Sequence, residues 1–101
     1  MQPISTSEMP VLRFDKEVTS NKMRAQSNHI GWLTAKSDQP GARFDLEIKD
    51  SLGRLIVKKD DCGNDTDQYG ELLNQAVQLG QELDVSISNI RGAEKVDVFS
   101  N

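Results

Sequence analysis

The sequence predicts an all-β chain, an antiparallel β-sandwich of about seven or eight short strands. Three observations predict it. Residues 42–60, ARFDLEIKDSLGRLIVKKD, begin with the alternation of a half-buried strand: Phe44, Leu46 and Ile48 point one way, Asp45, Glu47 and Lys49 the other. Leu83, Val85 and Ile87 alternate with Asp84, Ser86 and Ser88 in the same manner. Turn signals recur roughly every 8–12 residues, the spacing of a sandwich or barrel.

The elements follow in order. Residues 1–10 hold Pro3, Pro10 and a Ser-Thr-Ser run, and they read as an extended arm because proline removes ladder donors. The arm has few apolar groups to offset a backbone ordering cost of ~1–2 kcal/mol per residue. In isolation it is expected to be mobile. It reads either as a frayed terminus or as an arm that lies on a partner; in the second case the partner would supply the missing contacts, with Ile4 and Met9 as the apolar anchors and the partner-binding residues of the chain. Residues 11–101 then form a single domain. Residues 11–14 make a short first strand and 15–21 a polar turn. Residues 22–27 make a second short strand with Met23 and Ala25 inward, and 29–36, HIGWLTAK, a stronger third one. Pro40-Gly41 closes that third strand with a turn signal.

The central hairpin turns at Asp50-Ser51-Leu52-Gly53. Aspartate can hydrogen-bond its own backbone there, and Gly53 can take a positive φ without a Cβ clash. Leu55, Ile56 and Val57 begin the return strand, and 60–68 read as a polar loop. Residues 69–79, YGELLNQAVQL, read two ways. As a helix, Leu72, Ala76 and Leu79 share a face and Gly80 caps the end; as a strand, Leu73, Gln75, Val77 and Leu79 share one. Propensity favours helix, the all-strand surroundings favour strand, and strand is the expectation adopted. Residues 83–90 form a strand, 89–93 a turn around Arg91-Gly92, and 95–99 a last strand with Val96 and Val98 on one face.

Composition bounds the function. A chain of 101 residues suits one domain, and its small aromatic set leaves Val, Ile and Leu to fill the core. Net charge is −4; residues 1–45 carry a balance of +1 and residues 46–101 one of −5. Phosphate neutralisation needs a basic face, so nucleic acid is not expected as a partner, nor is a membrane surface. No apolar run approaches the ~18 residues of a membrane helix. The N-terminus lacks the charged and apolar regions of a cleaved signal. The single cysteine, Cys62, cannot form an internal disulfide.

Residues 44–65, FDLEIKDSLGRLIVKKDDCGND, resemble the bacterial pre-peptidase C-terminal domain family. The matching parts are the Asp-Leu strand, the Asp-Ser-x-Gly turn, the apolar return strand and the Asp-Asp-x-Gly loop; residues 82–88 match as a late strand. The resemblance implies a jelly-roll-like β-sandwich of the kind appended to secreted peptidases. Members carry aromatic residues on the hairpin and late strand, where this chain has Glu47, Asp84 and Ser86. The architecture therefore carries over, and the sugar or collagen contacts of those aromatics do not.

Candidate chemistry is sparse. Asp60, Asp61, Asn64, Asp65 and Asp67 crowd one stretch, but their spacing is not that of a calcium loop, and a solvated loop is the expectation. His29 is the only histidine and has no nucleophile motif beside it. Cys62 lies beside Asp60 and Asp61, which disfavour its thiolate. Trp32, between Ile30 and Leu33, reads as a core residue rather than a sugar platform. Neither a metal nor a cofactor is expected. With Met1 read as a native start, the chain looks like a complete small protein.

The functional expectation is a non-enzymatic structural protein that binds other proteins. Its most specific form is a virion decoration (cement) protein of a tailed bacteriophage, a homo-oligomer on major capsid protein. The alternative is a carbohydrate-binding module or an accessory β-sandwich domain of a secreted protein. Outside a virion, the location would be cytoplasmic, or secreted without a visible signal.

Overall fold

Burial in residues 43–50 follows the predicted alternation, with Phe44, Leu46, Ile48 and Asp50 buried and the residues between them half-buried. In a computed structural model that describes residues 10–36, 41–63 and 70–99, eight strands and no helix occur. They are β1 (Leu12–Phe14), β2 (Ser20–Arg24), β3 (His29–Lys36), β4 (Arg43–Asp50), β5 (Leu55–Cys62), β6 (Gly70–Ala76), β7 (Glu82–Arg91) and β8 (Lys95–Phe99). The segment that reads as either helix or strand is thus the strand β6. The expected arm lies outside the described residues except for Pro10, and so do Ile4 and Met9.

Two four-stranded sheets form, sheet A in the order β1-β8-β3-β6 and sheet B in the order β2-β7-β4-β5. Every pairing is antiparallel. β1 pairs with β8, β2 with β7, β3 with β6 and β4 with β5. This is one long hairpin folded over on itself, with β4–β5 as its tip, which is the jelly-roll arrangement. The inner faces meet in a core of Phe14, Ile30, Leu33, Phe44, Leu46, Ile48, Leu83, Val85, Ile87, Val96 and Val98.

The hairpin tip is built as its residues predict. Gly53 has φ 83° and donates its N–H to the Asp50 carbonyl at 3.0 Å. One Asp50 carboxylate oxygen accepts the backbone N–H groups of Leu52 and Arg54, both at 2.9 Å. The other accepts Arg54 Nε at 2.8 Å.

Three local expectations differ from the structure. The polar stretch from Asp60 is strand as far as Cys62, and the turn around Arg91 begins only at Gly92, because β5 and β7 both run on beside β4. Trp32 is buried but lies outside the core cluster, which contains Ile30 and Leu33. The β3–β6 register shifts between Ile30 and Trp32, opposite Asn74 at φ 50°. The extra residue lies on β6; on the β8 side Leu33 pairs with Val98 in the core, so Trp32, one residue earlier and opposite Phe99, stands on the outer side of sheet A.

Candidate functional site

Three surfaces carry the unusual chemistry of the fold. The first is the outer face of sheet B, where β4 lies between two bulges. Relative to β4, the extra residues fall on β5 near Asp61 (φ 57°) and on β7 near Asn89 (φ 53°). Asp45 on β4 serves both bulges. It accepts the backbone N–H of Asp61 at 2.9 Å, the Asn89 amide at 3.3 Å and Arg91 Nη2 at 3.4 Å. Asp61 in turn lies 3.3 Å from Arg91 and 3.6 Å from Arg43. The Asp61 backbone N–H, with the Asn89 amide and Arg91 adding to it against a burial effect, holds the Asp45 carboxyl below its ordinary range. The cluster pairs two carboxylates with two guanidinium groups, so its charges neutralise one another, and its geometry shapes the bulges.

This cluster absorbs part of the acidic stretch that calcium chemistry would use. Asp61 is committed to arginines; Asn64, Asp65 and Asp67 lie outside the described residues. Among the described residues, no group of three His, Cys, Asp or Glu is placed to hold a metal ion. Sequence reasoning missed the cluster because its members come from three strands. The available signal was the residue type at the bulges, since Asp and Asn tolerate the left-handed region better than other side chains do.

The second surface is the seam between the edge strands β5 and β6. Lys59 forms an ion pair with Glu71, which is only 7% exposed and also accepts the Gly63 N–H at 3.2 Å. Cys62 sits beside this pair, its Sγ 3.5 Å from the Lys59 carbonyl oxygen. Burial, reinforced by the Glu71 charge, pushes its thiol up to about 12. The thiolate a nucleophile needs is therefore disfavoured. His29 is exposed at the start of β3, where its carbonyl accepts the Ser27 hydroxyl at 2.6 Å.

The third surface is the end of the sandwich formed by the β4–β5 and β6–β7 turns. Leu52 is 76% exposed, Leu79 67% and Leu55 56%. Between these turns an open cleft of about 360 Å³ is lined by Ile56, Ala76, Val77, Gln78 and Gln81. These large apolar side chains stand exposed at one end of the fold, whereas the aromatic rings of Phe14, Trp32, Phe44 and Phe99 are all buried.

No family model matches this chain, and no curated protein or solved structure matches it.

Proposed function

We propose that this protein is a non-enzymatic structural protein, most specifically a capsid decoration protein of a tailed bacteriophage that binds major capsid protein as a homo-oligomer. The observation that carries this reading is the end of the sandwich at the β4–β5 and β6–β7 turns, where Leu52, Leu55 and Leu79 are each more than half exposed. Leaving such groups in water forgoes ~25 cal/mol per Å² of apolar area. A protein lattice that covers them recovers that free energy. The sugar-binding reading needs a flat exposed ring, and all four described aromatic rings are buried.

The test is co-sedimentation with purified capsids of the full-length chain and of a Leu52→Ser/Leu79→Ser variant. The reading expects the full-length protein to pellet with particles. It expects the variant to stay in the supernatant while melting at nearly the same temperature, since both leucines are largely solvated in the free chain. A full-length protein that never pellets, or a variant that pellets as well, would sink it.

A further inference from the structure

The outermost strands are β1 and β6 in sheet A and β2 and β5 in sheet B. An edge strand offers unpaired backbone groups to a further strand unless something blunts it. β5 and β6 are blunted by register shifts, with Asp61 and Asn74 at positive φ, and β1 is three residues long. β2 has neither protection. It pairs with β7 without a shift from Ser20 to Arg24. The pairing runs on at both ends, from the Ala25 N–H to the Gln81 carbonyl and from the Ile87 N–H to the Thr19 carbonyl. Those bonds turn the odd-numbered residues of β2 toward β7. The N–H and C=O groups of Ser20, Lys22 and Arg24 therefore point the other way, across the open edge. Asn21 Oδ1 accepts the Lys22 N–H there at 2.8 Å.

The edge is also basic. Ser20, Asn21, Lys22 and Arg24 are exposed and Met23 is buried, so both cations stand on the outer side of sheet B. Opposite them on β7 lie Asp84 and Glu82. Arg24 gives one N–H to the Gly80 carbonyl at 3.2 Å, and among the described residues neither cation closes an ion pair. An open cleft of about 390 Å³ follows the edge, lined by Pro10, Val11, Lys22, Met23, Arg24 and Gln26, a lining with two cations and no carboxylate.

We propose that the β2 edge binds an acidic peptide segment of another protein as an added strand, with carboxylates at alternate positions beside Lys22 and Arg24. Alternate side chains of a strand share a face, so the acids of the segment lie with the cations and its other side chains turn toward Val11 and Met23. Main-chain bonds to Ser20, Lys22 and Arg24 supply the hold, and charge supplies the selection. β7 already meets β2 in this way: Glu82-Leu83-Asp84-Val85 alternates acid with apolar and sets its acids opposite Arg24 and Lys22. A second copy of β2 is the wrong partner. A two-fold pairing centred on Lys22, on Arg24 or between them sets cation against cation, and like charges directly opposite destabilise a strand pair.

The test uses the full chain and a short capped peptide alternating glutamate with valine. Binding of the peptide should slow amide-hydrogen exchange severalfold at Ser20, Lys22 and Arg24 and leave the edges of β5 and β6 unchanged. A peptide N-methylated along its pairing edge, and one with lysine in place of glutamate, should each bind about tenfold more weakly or worse. So should the glutamate peptide with a Lys22→Gln/Arg24→Gln variant, checked for folding by circular dichroism. Failure of the full chain to bind the peptide at millimolar concentration would overturn the proposal. Equal binding of the methylated peptide would overturn the strand pairing, and equal binding by the folded double variant would overturn the role of the cations. An oligothymidylate that binds as tightly as the peptide would assign the cleft to anions in general and overturn the proposal too. The peptide comparisons use the unaltered chain, so they decide even if the variant fails to fold. Leu52 and Leu79 stay in place throughout, so this edge and the apolar end can fail separately.

Discussion

Asp61, Asn74 and Asn89 are the described non-glycine residues with positive φ, and each lies at a shift of strand register. The left-handed region costs a side chain its Cβ clearance, and Asp and Asn tolerate it best. Gly53 at φ 83° is stricter, because the hairpin tip depends on it. Space is open around a Cβ placed there, so any cost of substitution is backbone strain rather than collision. Gly53→Val should therefore destabilise by about 1–3 kcal/mol in urea titration, with Gly53→Asn and Ser51→Ala costing less. Equal, small effects in all three would contradict the turn described above.

Acid sensitivity belongs to the same scale. The Arg54 backbone N–H, helped by its guanidinium and the Leu52 N–H, holds the Asp50 carboxyl below its ordinary range, and Asp45 is lowered as well. A lowered folded pKa means that the stabilisation is present above the unfolded value of about 4 and is lost as pH falls through the folded value. Melting temperature should thus fall as the pH drops below about 4. An Asp50→Asn variant should melt lower than the parent at neutral pH and show a shallower fall in acid. Parallel melting curves against pH for the two proteins would rule out Asp50 as a contributor.

At the scale of elements, β5 and β6 are edge strands of different sheets, and the Lys59–Glu71 pair joins them. Edge strands present unpaired backbone groups that invite further pairing. β5 answers this with register shifts near Ile56 and Asp61. Breaking a buried ion pair by removing one partner costs ~3–5 kcal/mol, but the Lys59 side chain is 39% exposed and can regain water. Glu71→Ala should accordingly destabilise by less than that range, on the order of 1–3 kcal/mol, leaving the Gly63 N–H without its acceptor as well. A Lys59→Met change should cost less than Glu71→Ala if the Gly63 contact matters. The reverse order, read from chemical denaturation, would assign the effect to the ion pair alone.

For the whole molecule, topology sets the behaviour. β1 pairs with β8, so the first and last strands of the fold are neighbours in sheet A. Closing such distant contacts is slow, and β-sandwiches fold in roughly milliseconds to seconds. Stopped-flow refolding followed at Trp32 should fall in that window, and circular dichroism should show a β spectrum with little helix. Microsecond refolding, or a helix content above about a quarter, would be incompatible with the jelly roll.

How much was legible in the chain follows from which forces are local. The alternation of Phe44, Leu46 and Ile48, and of Leu83, Val85 and Ile87, identifies strands and their buried side, because a strand's side chains have a period of two wherever it goes. The Asp50–Gly53 turn was legible for the same reason: its hydrogen bonds and its positive φ belong to four consecutive residues. Even the ambiguous β6 was decided by its strand neighbours, and those are in the sequence. The bulges at Asp61, Asn74 and Asn89 were not legible, because a bulge exists only against the strand it is paired with. The side Trp32 takes was likewise set by pairing, with Leu33 opposite Val98 in the core and Trp32 opposite Phe99 on the outer side of sheet A. The Asp45 cluster, the Lys59–Glu71 pair and the exposed Leu52–Leu79 end likewise gather residues from separate strands and turns. Sequence spacing determined what each strand could bury; the pairing of one strand with another decided what lay beside it, and so which groups share a surface.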